Sequence, residues 1–257
     1  MLCADKFRQP DLTLIMMDKA KLLDHIRAAL HSERRLGASF TPARLDIDSE
    51  GTLTIEGEVP SVAAKKLALE RIAALPEVSG VIDRLRVAPA SQMSDAEIRA
   101  HLREAFAQEP SFTALQIAEC RGDTIEAVSG VPDNPLGRLL IEVNGGVVTL
   151  NGEVPDLTRK RLAGLLAWWV PGSRDVINGL AVEPPEEDAP IRIEEAVKVA
   201  LEKDRFVDAS QIRVGVRHTI VRLTGLVRTE SERNIAENDA WYIFGVDNVV
   251  NEIEVRP

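Results

Sequence analysis

The sequence predicts an α+β protein with three tandem αββαβ modules, each made of two helices packed on one face of a three-stranded mixed sheet. Three observations lead to this fold class. A strand that contains a glycine occurs three times, a helix with a capping residue follows each copy, and a second strand closes each copy at the same chain distance. Self-similarity at fixed spacing is the signature of a repeat protein.

The glycine strands are the first observation. They read GTLTIEGEVPS at 51–61, GVVTLNGEVPD at 146–156 and TIVRLTGLVRT at 219–229. When the copies are aligned on Gly57, Gly152 and Gly225, apolar residues stand four and two positions before each glycine and two positions after it. This period of two predicts a strand with one buried face. A glycine on that face indicates the close approach of another backbone or a bulge.

A helix is predicted after each glycine strand. Ser61, Asp156 and Thr229 stand four positions after the glycine, where their side chains can cap the free N–H groups of a first helical turn. Thr229 and Glu232 also have the spacing of a capping box. We expect these helices to be stopped by Pro76, Pro171 and Gly245.

The closing strands complete the repeat. They read VIDRLRV, VINGLAV and VVNEIEV, and they end at Val87, Val182 and Val255, each 30 residues after its glycine. Before each glycine strand we predict a shorter strand, at 43–48, 138–143 and 211–216, and before that an amphipathic helix. The second of these helices begins at Ser94 with Glu97 in capping-box position. The apolar positions of the three helices are Leu22, Leu23, Ile26, Ala29 and Leu30; Ile98, Leu102, Ala105 and Phe106; and Ile193, Val197, Ala200 and Leu201.

The repeat predicts the domain organisation. An N-terminal extension at 1–17 precedes module 1 (18–89), module 2 (94–184) and module 3 (190–257). Linkers are predicted at 88–93 and 183–190, and the second is rich in proline and acid.

Module 2 contains an insertion of about 22 residues, roughly at 109–137, which follows from the glycine spacings of 95 and 73 residues. Leu115, Ile117 and Glu119 alternate there, and the residues 121–123 lead into a second alternating stretch, which predicts an inserted β-hairpin. The insertion is either a structural embellishment or a partner site. Arg121 and Asp123 at its tip are candidate partner-binding residues.

Composition and charge exclude several functions. A net charge of −10 disfavours broad nucleic-acid binding, which needs Lys and Arg stripes along the phosphates. The N-terminus has no signal-peptide pattern, and no segment approaches the roughly 18 apolar residues of a membrane span. We therefore expect a cytoplasmic protein without a transmembrane segment, with a periplasmic or membrane-peripheral location as the alternative. Cys3 and Cys120 have no metal-like spacing and are expected to be reduced thiols.

No catalytic constellation stands out. The four histidines, His25, His31, His101 and His218, have no metal-binding motif around them. Gly145-Gly146 is interpreted as a hairpin turn, and no nucleophile stands beside a base. The sequence therefore predicts a non-enzymatic protein with no cofactor and no metal.

The tryptophan pair at 168–169 is a candidate membrane anchor or partner site. However, Trp168 and Trp241 both stand 16 residues after a repeat glycine, which predicts a core position on the second helix. Trp169, which aligns with Tyr242, is then the more exposed of the pair and a candidate partner-binding residue.

Four arginines of module 3 are candidate ligands for anionic lipid headgroups. Arg213 and Arg217 alternate on one strand, and Arg222 and Arg228 lie on the polar face of the next. Guanidinium groups can bind phosphate through two parallel hydrogen bonds. The alternative is a solvated face whose arginines pair with nearby acids. Module 1 has Glu56 and Glu58 on the corresponding strand.

With the V-x-L-x-G-x-V strand, the capped helix and the closing V-x-N-x-L/I-x-V strand in this order, the pattern resembles the BON domain, a bacterial osmotic-stress and nodulation module. Asn178 and Asn251 occupy the asparagine position, and Asp83 replaces it in module 1. The resemblance covers nearly the whole chain. It implies small binding modules without a catalytic centre, associated with phospholipid surfaces, envelope integrity and osmotic protection.

Three functions follow as hypotheses. The first is a stress-linked or envelope-linked binding or scaffold protein with an anionic phospholipid partner. The second is a cytosolic protein–protein adaptor that uses the insertion of module 2. The third, sensing of a small ion by one module, is implied only by the resemblance.

Overall fold

The computed structural model describes residues 12–37, 39–122, 124–128, 130 and 132–256. These residues fall into two compact units, one that ends at Arg86 and one that begins at Val87. The first unit holds module 1, and the second holds modules 2 and 3. Cys3 and Asp123 lie outside the described residues.

Each module follows the predicted order of helices and strands. Module 1 contains α1 (Leu12–His31), β1 (Arg44–Ile47), β2 (Thr52–Val59), α2 (Val62–Ala73) and β3 (Gly80–Val87). Module 2 contains α3 (Asp95–Gln108), β4 (Leu115–Arg121), β5 (Thr124–Ala127), β6 (Gly137–Asn144), β7 (Val147–Val154), α4 (Leu157–Trp169), β8 (Asp175–Asn178) and β9 (Ala181–Val182). Module 3 contains α5 (Pro190–Lys203), β10 (Ile212–Arg217), β11 (Ile220–Val227), α6 (Glu230–Tyr242) and β12 (Asn248–Val255).

The three sheets are separate, as the repeat predicts. The strand orders are β1-β2-β3 in module 1 and β10-β11-β12 in module 3. In module 3, β10 pairs antiparallel with β11, and β12 pairs parallel with β11, so the sheet is mixed. The predicted α+β class with tandem αββαβ modules is confirmed.

The sheet of module 2 is larger than the repeat unit. Its strand order is β5-β4-β6-β7-β8, and β9 pairs with β7. β4 and β5 form an antiparallel hairpin within the insertion, and β4 adds to the sheet parallel to β6. The insertion therefore widens the sheet by two strands.

The expectation of one continuous closing strand in module 2 is wrong. The strand is interrupted between β8 and β9, where the N–H of Gly179 donates to the carbonyl of Leu150 at 2.8 Å. Modules 1 and 3 have Arg84 and Glu252 at the matching position, and their closing strands are continuous. Glycine weakens a strand because it has no side chain to pack and a large conformational entropy to lose.

Each module has its own core, built from the alternating residues of the glycine strand and one stripe of each helix. In module 1, Leu53 and Ile55 of β2 pack beneath the helices, and in module 3 Val221 and Leu223 of β11 do the same. All four side chains have no measurable exposure. Trp241 of α6 is equally buried, as predicted. Trp168 is only half-buried, so its predicted core position is wrong.

The predicted helix caps are present. The side chains of Ser61, Asp156 and Thr229 accept hydrogen bonds from backbone N–H groups three residues ahead, and Ser94 forms a full capping box with Glu97. Thr229 and Glu232 do not form the predicted full box. The Glu232 carboxylate instead accepts from the backbone N–H groups of Asp208 and Arg228, so it ties neighbouring chain segments to the start of α6.

The three repeat glycines are half-buried rather than buried, and they do not share one constraint. Gly152 and Gly225 have positive φ angles of 115° and 142°, and a Cβ atom there would lie 2.0 Å from the carbonyl oxygens of Arg138 and Gln211. The predicted close backbone approach holds at these two positions. At Gly57 the nearest atoms would lie 3.5 Å away, which is ordinary contact.

Candidate functional site

The outer face of the module 3 sheet carries the four candidate arginines. The inner residues of β11 alternate with exposed ones, so Arg222 faces away from the helices while Val221 and Leu223 face them. Arg213 lies opposite Thr224 and Arg217 lies opposite Ile220 in the β10–β11 pairing. Arg222 lies opposite Gly215. All three arginines are exposed on one face, and exposed Arg228 follows the end of β11.

Carboxylates pair with only part of this basic set. The Arg222 guanidinium donates two hydrogen bonds to the Glu252 carboxylate, at 2.7 and 2.8 Å. Arg256, after the end of β12, donates to Glu254 at 2.8 Å. Within the part of the chain that the structure describes, Arg213 and Arg217 form no ion pair. The sequence hypothesis of arginines paired with nearby acids thus describes Arg222 but not these two.

The space between Arg213 and Arg217 is open. Gly215 stands between them on the same strand face, and a Cβ atom built there would meet nothing within 4 Å. With a rise of about 3.3 Å per residue, the two arginine Cα atoms are about 13 Å apart. Two flexible guanidinium groups flank a gap wide enough for an anionic group.

Exposed aliphatic side chains share this face. Ile220, Leu226 and Val250 are 44%, 40% and 39% exposed, and all three belong to the outward set of β11 and β12. Basic and aliphatic side chains on one surface suit the boundary between lipid headgroups and acyl chains. We call the outer surface formed by Arg213, Arg217, Ile220, Arg222, Leu226 and Val250 the basic face.

The aliphatic part of this face repeats in the other modules. Ile82, Ile177 and Val250 each lie 25 residues after a repeat glycine and are exposed on the closing strand. Sequence analysis missed this position, although the same alignment on the glycines would have revealed it. The basic part does not repeat. In module 2, Arg138 lies opposite Glu153 on the outward face. In module 1, the exposed residues on either side of the repeat glycine in β2 are Glu56 and Glu58.

The Arg121 side chain forms an ion pair within the insertion. Its guanidinium donates to the Glu119 carboxylate at 2.5 and 3.4 Å, and Glu119 is only 1% exposed. The Arg99 guanidinium of α3 lies 2.9 Å from the same carboxylate, and that of Arg103 lies 4.0 Å away. This cluster joins the inserted hairpin to α3.

The Trp169 side chain forms a hydrogen bond between modules 2 and 3. Its indole N–H donates to the Asp239 carboxylate of α6 at 2.8 Å. Next to it, the rings of Trp168 and Tyr242 stack with centroids 5.7 Å apart and an interplanar angle of 11°. The tryptophan pair thus lies at a contact between α4 and α6, where module 3 occupies the position that a separate partner would take.

The asparagine of the closing strand has a structural role. The amide groups of Asn178 and Asn251 donate to the carbonyls of Lys160 and Arg233, each 18 residues earlier on the preceding helix. Asp83 has no amide to donate. In module 1 the Lys65 ammonium, also 18 residues earlier, binds Asp83 at 2.9 Å and the Leu85 carbonyl at 2.9 Å. A buried ammonium therefore replaces the amide donor.

Two other kinds of site are absent from the described residues. In that part of the chain, no group of three or more His, Cys, Asp or Glu side chains is arranged to hold a metal ion. None of the helices described there is both long enough and apolar enough to cross a bilayer. Cys120 is a free thiol of intermediate exposure.

The fold and its repeated motif define a class of small αββαβ modules in which a capped helix and an asparagine-bearing closing strand follow a glycine strand. The chain belongs to the BON domain family, which matches at residues 18–89, 126–184 and 192–257. The second match begins within β5 and leaves α3 and β4 outside it.

Comparisons with individual proteins add little to the family assignment. No curated protein sequence is detectably similar to the chain. Among solved structures, the C-terminal domain of CdsD, a structural protein of the type III secretion system of Chlamydia trachomatis, is 15% identical, with 92% of this chain and 98% of that chain covered and a TM-score of 0.23. A second CdsD structure is 16% identical, with 92% and 93% covered and a TM-score of 0.24. TM-scores this low do not establish a shared arrangement.

Proposed function

We propose that this BON-family chain is a non-enzymatic, envelope-linked or stress-linked binding protein that associates with anionic phospholipid surfaces through the basic face of module 3. The observation that carries the proposal is the exposure of Arg213 and Arg217 on one sheet face without carboxylate partners in the described part of the chain. The aliphatic side chains around them supply apolar contact with the membrane boundary.

The charges of the whole chain and of the basic face act in opposite directions. A net charge of −10 repels the chain from an anionic surface, so association requires a local basic region that faces the lipid. Each arginine near such a surface contributes about 1 kcal/mol. Two unpaired arginines with adjacent aliphatic residues therefore support weak, salt-sensitive association.

Sedimentation with vesicles tests this proposal. Vesicles of phosphatidylglycerol and phosphatidylcholine should pellet the chain at low salt, and vesicles of phosphatidylcholine alone should not. The double variant Arg213→Gln/Arg217→Gln should bind about 30-fold more weakly, because it loses two contributions of about 1 kcal/mol each. Binding should also weaken as salt rises, because exposed charges are screened.

A matched pair of substitutions controls for net charge. Arg44 and Arg84 are exposed on β1 and β3 of module 1, and their replacement by glutamine removes the same two charges. This control variant should bind like the wild type. An equal loss in both double variants, or wild-type chain that stays in the supernatant at low salt, would exclude the basic face as the lipid-binding surface.

The insertion of module 2 supports a second candidate function, that of a protein–protein adaptor. All four residues of β5 are exposed at the edge of the sheet, and Ile125 is 54% exposed. An exposed edge strand offers unpaired backbone groups to an incoming strand. Ile125→Asn should release a protein that copurifies with the wild-type chain from native cells, while Ile82→Asn should retain it. Retention by both variants would count against the hairpin as the docking element.

A further inference from the structure

The contact between modules 2 and 3 contains a buried carboxyl group that the proposed function does not use. Asp239 of α6 is 1% exposed, and its Oδ1 atom accepts the indole N–H of Trp169 from α4. Its Oδ2 atom is buried, and no hydrogen-bond donor reaches it within the described residues. An ionised carboxylate is costly to bury unless both oxygens are compensated.

A second carboxyl group, that of Asp204, lies within side-chain hydrogen-bond reach of Asp239. Asp204 is the C-cap residue that follows α5, and its Oδ1 atom accepts the backbone N–H of Phe206 at 2.8 Å. Burial, with a smaller contribution from the Asp204 carboxyl group, raises the pKa of Asp239 to about 8 against the lowering effect of the Trp169 hydrogen bond. Two carboxyl groups so placed are stable with one proton between them, because like charges on neighbouring carboxyl groups disfavour double ionisation.

The cations close to this pair along the chain have other partners. On α5 and the turn after it, Lys203 binds Glu109 at 2.9 Å, and the Arg205 guanidinium lies 4.7 Å from the centre of the Phe206 ring.

The cations of α4 are also engaged. Arg161 binds Asp188 and the Phe244 carbonyl, and the Lys160 ammonium lies 4.6 Å from the centre of the Phe244 ring.

On α6 itself, the nearby titratable groups are Glu237, whose carboxylate accepts hydrogen bonds from Trp241 and Asn251, and Tyr242. Burial and the two aspartate carboxyl groups raise the pKa of Tyr242 to about 12, so it stays neutral through the pH range considered.

We propose that Asp239 and Asp204 share one proton at neutral pH, held on Asp239 Oδ2 and donated to the Asp204 carboxylate, and that loss of this proton loosens the end of α5 from α6 beside the Trp169 contact. The proton satisfies the orphaned Oδ2 atom and joins the end of α5 to α6. Its loss leaves the buried Asp239 carboxylate beside the half-buried Asp204 carboxylate, next to Trp169. The α5–α6 contact is thus a pH-sensitive junction within module 3, and it is independent of the basic face.

Carboxyl NMR of the intact chain tests the shared proton directly. With ¹³C-labelled aspartate, the Asp239 carboxyl should titrate with a midpoint near 8, and the indole N–H signal of Trp169 should shift with the same midpoint. Asp204→Asn should lower this midpoint, because the neighbouring negative charge is removed. A wild-type Asp239 midpoint near the ordinary aspartate value of about 4 would overturn the proposal.

A pair of asparagine variants tests the consequence for the junction. Asparagine at 239 imitates the protonated acid, since its amide can donate to Asp204 while its oxygen still accepts from Trp169. Asp239→Asn should abolish the change in Trp169 signal and in α6 amide exchange that the wild type shows between pH 6 and pH 9. Asp247→Asn, at an exposed acid before β12, should leave that change intact. Persistence of the change in Asp239→Asn would overturn the proposal, and the wild-type titration decides the matter if this variant fails to fold.

Discussion

At the residue scale, the three repeat glycines occupy the same register under different backbone constraints. Gly152 and Gly225 adopt φ angles that favour glycine and lie against a carbonyl of the neighbouring strand, whereas Gly57 has neither feature. Module 1 reaches the same strand geometry without a strained glycine. The repeat therefore conserves the position of the strand more strictly than its local backbone conformation.

This difference predicts unequal costs for one substitution. Gly225→Ala should lower the free energy of unfolding by at least about 2 kcal/mol, because an alanine at positive φ costs about 1–3 kcal/mol and its Cβ would displace the Gln211 carbonyl. Gly57→Ala is the matched control and should change stability by less than about 1 kcal/mol. Urea unfolding of both variants measures this, and equal losses would contradict the backbone account.

At the element scale, the inserted hairpin is fixed to module 2 by a buried ion pair as well as by strand pairing. Glu119 of β4 is the centre of this contact, with Arg99 of α3 and Arg121 of the hairpin on its carboxylate. The Glu126 carboxylate of β5 is half-exposed and lies 3.8 Å from Arg121. One hairpin thus carries one buried and one exposed acid.

These two acids should differ in their contribution to stability. Glu119→Ala should cost about 3 kcal/mol, because it leaves the partly buried Arg99 without its carboxylate. Glu126→Ala should cost between 0 and about 1 kcal/mol, as is usual for an exposed ion pair. Limited proteolysis within 122–136 should likewise accelerate only in the first variant. Similar cleavage rates in the two variants would mean that strand pairing alone holds the hairpin.

The helices and strands could be predicted from the sequence where residues close together in the chain determine them. Alternation identified the glycine strands, and the capping residues Ser61 and Asp156 marked helix starts, because both signals act within a few residues. The contact of Trp169 with Asp239 could not be predicted, since the two residues stand 70 positions apart in different modules. The pairing of Arg222 with Glu252 was also hidden, since it depends on the register of two strands.

At the scale of the whole molecule, the second unit should lose stability as pH rises. The pKa of Asp239 is raised from 3.8 to about 8 on folding, so the folded state binds this proton more tightly than the unfolded state. The resulting stabilisation is complete below about pH 4, declines as pH rises toward 8 and is lost above that value. The slope approaches about 1.4 kcal/mol per pH unit from this one group.

Urea unfolding of the wild type and Asp239→Asn between pH 5 and pH 9 isolates this effect. The stability of the wild type relative to the variant should fall up to about pH 8 and then stay constant. Other titrating groups cancel in the comparison because the two chains share them. A difference that does not change with pH would show that Asp239 is ionised in the folded chain throughout this range.

The molecule as a whole combines an acidic chain with one local basic face, and the proposed function depends on that contrast. Amide hydrogen exchange of the wild-type chain, with and without phosphatidylglycerol vesicles, tests it most directly. We predict added protection at the β10–β11 turn and along the free edge of β10, with the sheets of modules 1 and 2 unchanged. Protection confined to the other modules, or none at all, would contradict the assignment of the basic face.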